Sequence, residues 1–301
     1  MKCDQCPRHC HTERTEDHYG FCGVGELPKI ARAALHYDEE PPISGTHGAG
    51  TIFFSGCNLR CVFCQNYDIS EEHQGVVITP YQLSEEYRKL EALGAENIEF
   101  VTPSHYIDAI LESLTYYRPR LPLVWNSSGY DSIDALQRLD GVIDIYLPDF
   151  KYSDNALAKR LSNCGDYVET AIAAIDEMLR QQPETIIENG VMKRGVIIRH
   201  LVLPSHTKNS IGVLETIAQR WNVSEKTENG TRAPVSLMAQ YMPAGKAVDY
   251  PDIDRKLTKR EYHKVLNRFI ELELDGFAQE LDSSDKKYVP EWDYDTVNGE
   301  W

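Results

Sequence analysis

The chain has 301 residues, of which 42% are hydrophobic and 26% charged, so it is long enough to bury a large core. Its formal net charge of −16 makes it a poor candidate for binding the phosphate backbone of nucleic acids, which needs clustered Lys and Arg. No apolar run approaches the roughly 18 residues of a membrane-spanning helix, and the first residues lack the apolar stretch of a signal peptide. We therefore expect a cytoplasmic protein that binds neither nucleic acid nor a membrane.

The first predicted unit is a cysteine-rich extension over residues 1–49. Seven of the eight cysteines lie within the first 64 residues, and in a reducing compartment clustered cysteines favour metal sites over disulfides. Four of them fall within this extension: Cys3, Cys6, Cys10 and Cys22. Four thiolates can close a tetrahedral Zn²⁺ site or hold an Fe–S cluster, and the spacing does not decide between the two.

A second group of three cysteines follows the first predicted strand of the main domain. Cys57, Cys61 and Cys64 lie within eight residues, directly after the apolar stretch 50–55. A [4Fe–4S] cluster held by three cysteines keeps one iron free to bind something else. The eighth cysteine, Cys164, lies in a polar stretch typical of a helix end and turn, so we do not expect it to be a fourth ligand.

Short apolar runs alternate with amphipathic stretches through the middle of the chain. The predicted strands cover residues 50–55, 97–102, 121–126, 142–148, 194–203 and 234–241. The predicted helices cover residues 83–93, 106–117, 131–139, 167–179, 211–221 and 258–274. Six βα repeats imply parallel strands with right-handed crossovers, so we expect an α/β fold, a partial (β/α)6 TIM-like barrel over residues 50–275.

The last predicted unit is an acidic tail over residues 276–301. Four aromatic residues give it enough apolar surface to cap the open side of the barrel: Tyr288, Trp292, Tyr294 and Trp301. The alternative is a solvated tail that wraps the barrel.

The Cys57-x3-Cys61-x2-Cys64 spacing, with the aromatic Phe63 before the last cysteine, resembles the signature of radical S-adenosylmethionine (SAM) enzymes. More narrowly, the chain resembles pyruvate formate-lyase activating enzyme-like proteins of the glycyl-radical-activase branch. The stretches that carry this resemblance include CPRHC, SGCNLRCVFCQN, NIEFVTPSHY, WNSSGY, YLPDFKY, RHLVLP and GFAQ.

This resemblance implies an oxidoreductase with an O₂-sensitive [4Fe–4S] cluster on the three cysteines, which are then its catalytic residues. The cluster binds SAM and cleaves it reductively to a 5′-deoxyadenosyl radical. That radical would abstract hydrogen from a protein or peptide substrate, the glycine of a glycyl radical enzyme being one candidate. A flavodoxin- or ferredoxin-type donor would supply the electron.

The resemblance also implies which residues bind SAM. Phe63 would lie against the adenine, and Tyr241 stands where the family has a histidine near the ribose. The remaining implied SAM-site residues lie at the ends of the third and fourth predicted strands and within the fifth: Asn126, Ser127, Asp149, Lys151 and Arg199.

One family motif is missing from this chain. The Gly-Gly-Glu that anchors the SAM amine is replaced by residues 102–105, which contain no carboxylate. Thr102, Ser104 or backbone carbonyls would have to hold the amine instead. Two alternatives therefore stay open: a radical SAM enzyme acting on a small molecule, and a non-catalytic Fe–S or zinc protein that serves as electron carrier or scaffold.

Overall fold

The computed structural model describes residues 2–221, 223–227 and 230–281, together with residues 292 and 297. In this part of the chain the strands are, in order, β1 (Lys29–His36), β2 (Ala49–Phe54), β3 (Val76–Val77), β4 (Ile98–Val101), β5 (Leu123–Ser127), β6 (Ile145–Pro148), β7 (Ile186–Glu188), β8 (Val191–Val196), β9 (Ile198–Leu201), β10 (Lys226–Thr227), β11 (Gly230–Thr231), β12 (Val235–Met238) and β13 (Gly276–Ala278). The helices are α1 (Pro41–Ser44), α2 (Tyr67–Ser70), α3 (Pro80–Ala92), α4 (Ile107–Tyr116), α5 (Ile133–Gln137), α6 (Asn155–Ser162), α7 (Tyr167–Gln181), α8 (Thr207–Trp221) and α9 (Lys259–Glu271). A 3₁₀ turn, Ala247–Asp249, precedes α9.

Parallel strands form the frame of the molecule, in the spatial order β2, β4, β5, β6, β9, β12, β13. Strand β6 pairs in parallel with the end of β8, and a bridge between Asp149 and Arg199 joins β6 to β9, which follows β8 after one residue. Among the described residues no strand pairing closes the row from β13 back to β2, so the barrel is open. The expected α/β barrel is confirmed, and all six predicted strands and all six predicted helices are present.

Complete burial explains why the central strands are so apolar. Every residue of β2, β4, β5, β6 and β12 is buried, as expected for parallel strands covered by helices. Helices α3, α6 and α9 begin at side-chain caps. Thr79 forms a capping box with Gln82, and Pro80 takes the first helical position, so α3 starts three residues earlier than predicted.

Strand β1 was not predicted, and it ties the cysteine-rich extension to the barrel. It runs antiparallel to β2, with His36 opposite Ala49 and Ile30 opposite Phe54. Residues 29–36 therefore belong to the same sheet as the barrel strands. The proposed division at residue 49 stays a prediction.

The described part of the predicted tail contacts the barrel in several places. Its first residues, Gly276–Ala278, form β13, which pairs with β12. The ring of Trp292 packs edge-on against the ring of Phe53, with 5.4 Å between the ring centres. Val297 is buried in the main core. The other tail aromatics, Tyr288, Tyr294 and Trp301, lie outside the described residues. Among the described residues, no helix is both long and apolar enough to cross a membrane.

Candidate active site

A cavity of about 420 Å³ lies inside the barrel and opens where the parallel strands end. Its volume falls in the range typical of small-molecule sites. Most of the predicted site residues line it together: Cys57, Cys61, Phe63, Cys64, Thr102, Asn126, Ser127, Asp149, Lys151, Arg199 and Tyr241. They come from the ends of different strands, so the fold alone brings them to one place.

The loop of Cys57, Cys61 and Cys64 forms one end of this cavity. Burial raises the pKa of the Cys61 thiol to about 12, and Ser162 donates its hydroxyl hydrogen to the same sulfur at 3.0 Å. The N–H of Leu59 donates to the sulfur of Cys57 at 3.3 Å. Donors aimed at sulfur stabilise the thiolates that metal ligation requires.

The donor set fits an Fe–S cluster better than a single ion. Three cysteines are one short of the four ligands of a closed tetrahedral Zn²⁺ site. A cubane cluster instead lets each cysteine bind a different iron. All eight cysteines are free thiols. Cys57, Cys61 and Cys64 would therefore hold the cluster.

A buried charge network stands beside the cysteine loop. Arg199 donates from Nε to Asp149 at 2.9 Å and from Nη2 to Asn126 Oδ1 at 2.6 Å, and Lys151 forms an ion pair with the other oxygen of Asp149. Burial alone would oppose charge on Asp149, but Arg199 and Lys151 hold its pKa below the usual range. Burial also opposes the charge on Lys151, but Asp149 raises the lysine pKa. All three groups are therefore charged at neutral pH.

Asp38, which lines the cavity, and three further carboxyl groups at this site were missed by the sequence analysis. Glu39 and Glu40, which follow β1, line the cavity and reach Arg199 Nη1 at 3.3 and 3.6 Å. Glu99, in the middle of β4, accepts a hydrogen bond from Asn126 at 2.7 Å, and burial raises its pKa to about 7. The signal for Glu99 was its place as the lone acid in an apolar strand. No motif marked the other three.

The segment that replaces Gly-Gly-Glu turns away from the cavity after its first residue. Thr102 lines the cavity in a left-handed conformation (φ 60°), and its N–H bonds to the carbonyl of Asn126. Ser104 does not line it, because its hydroxyl bonds to the carboxylate of Asp131. His105 bonds to the carbonyl of Ser55, and burial lowers its pKa to about 3. Of these residues, Thr102 alone is placed to meet a ligand.

Phe63 and Tyr241 form an aromatic wall of the cavity. Their ring centres are 6.0 Å apart and their planes are inclined by 56°. The hydroxyl of Tyr241 donates to the carbonyl of Ile253 at 2.6 Å. This bond fixes the Tyr241 ring, which leaves its face rather than its hydroxyl for a ligand.

The four cysteines of the extension also lie together. Burial raises the pKa of Cys6 to about 12, with the adjacent thiols of Cys22, Cys3 and Cys10 contributing. A side-chain carbon on Gly20 would lie 3.5 Å from the sulfurs of both Cys10 and Cys22. Sequence spacing had indicated this grouping.

Backbone contacts connect this tetrad to the cysteine loop of the barrel. The carbonyl of Cys22 accepts the N–H of Cys57 at 3.2 Å. The buried Arg14 lies 3.6 Å from the sulfur of Cys22 and donates to the carbonyl of His105 at 2.8 Å. Cys164 does not line the cavity, and its sulfur lies 3.3 Å from the carboxylate of Asp166.

Comparison with known proteins identifies a family. The family model described as the radical SAM superfamily matches residues 51–213. A relative of unknown function, protein MJ0674 of Methanocaldococcus jannaschii, is 35% identical over 272 residues, covering 88% of this chain and 73% of that protein. Residues 51–213 contain the cysteine loop and the cavity residues contributed by β4, β5, β6 and β9.

Solved structures with similar folds are more distant. They include SuiB of Streptococcus suis bound to precursor peptide SuiA (TM-score 0.49, 12% identity) and methylornithine synthase PylB (0.48, 14%). A third is anSMEcpe with bound AdoMet and a peptide (0.49, 12%). Each match covers 73–79% of this chain, but the chain spans 46% of SuiB, 63% of PylB and 62% of anSMEcpe. These similarities are too distant to bear on function.

Proposed function

The chain belongs to the radical SAM superfamily, and from this we propose that its cavity is the active site of a SAM-cleaving enzyme. The substrate we propose is a protein or peptide, from which hydrogen is abstracted, and glycyl radical enzyme activation is the specific reaction to test. The observation that carries the proposal is the shared cavity. It brings the thiols of Cys57, Cys61 and Cys64 together with the charged groups of Lys151 and Arg199.

Each part of the cavity has a role in this proposal. Cys57, Cys61 and Cys64 hold the [4Fe–4S] cluster, which when bound supplies the electron that cleaves SAM to methionine and a 5′-deoxyadenosyl radical. Lys151 and Arg199 provide positive charge for the carboxylate of SAM, and Asp149 keeps both side chains in place.

The remaining walls suit the other parts of the cofactor. Phe63 and Tyr241 offer ring faces for the adenine. Thr102 offers a hydroxyl for the amine that Gly-Gly-Glu binds elsewhere in the family, and Ser127 completes the polar side.

We also propose a second metal centre on Cys3, Cys6, Cys10 and Cys22, either zinc or a second Fe–S cluster. The hydrogen bond from Cys57 to the Cys22 carbonyl supports a structural or electronic link between the two centres. A flavodoxin- or ferredoxin-type protein would be the electron donor, and the cytoplasm the compartment.

The deciding experiment is anaerobic reconstitution with iron and sulfide, followed by dithionite reduction in the presence of SAM. We expect 5′-deoxyadenosine as a product, and its formation should be abolished in Cys61→Ala. Cys164→Ala is the matched control, because Cys164 is a buried thiol that does not line the cavity; it should retain activity. A preparation with a verified cluster that yields no 5′-deoxyadenosine would support the electron-carrier alternative instead.

A further inference from the structure

The cavity has an acidic floor, which we define as Asp38, Glu39 and Glu40. These residues follow the end of β1, where His36 pairs with Ala49, the first residue of β2. The cysteine loop follows the opposite end of β2. The acidic floor therefore closes the end of the cavity that lies away from the cysteines, and all three residues line it.

Carboxyl groups outnumber cations in this cavity. Two of the described lining residues are permanent cations, Lys151 and Arg199. Four carry carboxyl groups: Asp38, Glu39, Glu40 and Asp149. Asp149 pairs with both cations. Of the two, Arg199 also forms ion pairs with Glu39 and Glu40 of the acidic floor. Carboxyl groups therefore outnumber the available cations at the acidic floor.

Glu40 is the clearest sign of a missing partner. It is 8% exposed, and its Oε2 accepts no hydrogen bond from the described residues. Its ion-pair neighbour, Arg199 Nη1 at 3.6 Å, is closer to Glu39, at 3.3 Å. A buried carboxylate oxygen without a hydrogen-bond donor is costly, and a ligand could supply the donor that this Oε2 lacks.

The wall between the acidic floor and the cysteine loop is partly apolar. Phe53, Val101, Leu201 and Met238 all line this cavity. An aliphatic chain would pack against such side chains, while its charged end would remain beside the carboxylates. The charged end of the substrate, its aliphatic chain and the carbon that loses hydrogen would then lie along one cavity.

We propose that the acidic floor is a substrate subsite for an organic cation, a primary ammonium or guanidinium group carried on an aliphatic chain, as in a lysine or arginine side chain. Glu40 accepts the hydrogen bonds of that group, and Glu39, 3.3 Å from Arg199, provides a second carboxyl group beside it. This inference rests on the proposed function and adds the chemical class of the substrate.

The test is calorimetric titration of the reconstituted, SAM-loaded protein with three blocked amino acids. The probes are the N-acetyl methylamides of lysine, arginine and norleucine, the last being the uncharged counterpart of lysine. We expect at least one cationic probe to bind about tenfold or more tightly than the norleucine probe. Glu40→Gln should remove that preference.

Two further variants test whether the effect of Glu40→Gln is specific to the acidic floor. Glu188→Gln removes the same charge from an exposed residue of β7 outside the cavity lining and should leave probe binding unchanged. Glu39→Gln should weaken the cationic probe in the same direction as Glu40→Gln, which gives a second measurement if one variant folds poorly.

Specific results would overturn the subsite. They are equal binding of the three probes, no binding by any of them, or a Glu40→Gln variant that loses affinity for SAM and not for the probe. The 5′-deoxyadenosine assay on the same preparation keeps the two proposals separate. Normal SAM cleavage with no preference for the cationic probes refutes the subsite alone, whereas a failure to cleave SAM refutes the proposed function.

Discussion

Arg199 is the residue on which the charge balance of the barrel interior depends. Its side chain is 11% exposed, and it contacts Asp149, Glu39 and Glu40, with Asn126 as a neutral partner. Burial disfavours the charge, but the surrounding carboxylates raise the pKa of Arg199 above its ordinary value. Removing this cation would leave buried carboxylates without compensation.

We predict that Arg199→Met lowers the unfolding free energy by about 3–5 kcal/mol, the usual cost of breaking a buried ion pair from one side. The denaturant midpoint of anaerobically reconstituted protein measures this. Arg220→Met is the control, because Arg220 pairs with Asp176 at the surface and its side chain is 47% exposed. That variant should lose less than about 1 kcal/mol. Equal losses would contradict the assigned role of Arg199.

Residues with a local signature could be predicted from the sequence. Spacing marked the three loop cysteines, and the family resemblance indicated Asp149 and Lys151; all five line the cavity. Glu39 was not predicted, because it meets Arg199 from 160 positions away in the chain. That contact exists only because β1 folds back on β2, and no pattern within the chain reports it.

At the level of elements, the barrel could be predicted because short apolar runs, typical of buried strands, alternate with amphipathic stretches, typical of helices. Strand β1 was not predicted, because its half-buried pattern lies within a cysteine-rich stretch that was assigned to the extension. Helix α6 was not predicted, because it has only eight residues. It begins at Asp154, whose side chain accepts a hydrogen bond from the N–H of Ala156. Short or edge elements depend on tertiary contacts more than on sequence period.

Helix α3 carries a buried acid on its inner face. Glu86 is 1% exposed and lies among the buried Leu83, Tyr87 and Leu90. Burial raises its pKa to about 7, although Lys89 at 3.5 Å works in the opposite direction. The folded state therefore holds this proton more tightly than the unfolded state, so stability contributed by Glu86 falls as pH rises from about 4.5 to 7.

We predict that Glu86→Gln stabilises the protein, and by more at pH 8 than at pH 5. Glutamine keeps the shape of the side chain without the cost of ionisation, and the difference between the two pH values should be about 1–3 kcal/mol. Denaturant midpoints of both proteins at the two pH values measure it. A gain of the same size at both would show that the charge of Glu86 is not the cause.

At the scale of the whole molecule, side chains of the cysteine-rich extension form hydrogen bonds directly to the barrel. Arg8 of the extension donates to the carbonyl of Asn58 in the cysteine loop at 2.7 Å and to that of Asn163 after α6 at 2.8 Å. Its guanidinium also lies 4.2 Å from the ring centre of Phe21. One side chain thus fixes the cysteine loop from outside the barrel, next to Ser162, the donor to Cys61.

We predict that Arg8→Ala weakens retention of the cluster without unfolding the barrel. Losing hydrogen bonds from a charged donor frees the loop that carries Cys57 and Cys61, so the cluster should be lost about tenfold faster. Bleaching of the cluster's visible absorbance in the presence of an iron chelator measures the rate, and far-UV circular dichroism confirms the fold.

Arg118→Ala is the matched control for this prediction. Arg118 also donates to two backbone carbonyls, those of Gly141 and Val142, both at 3.3 Å, and these loops carry no cysteine. Both variants remove one arginine and its backbone bonds, so they differ in which loop is freed. If both variants bleach at the wild-type rate, the extension does not hold the cysteine loop; if both bleach equally fast, general loosening of the barrel is the cause.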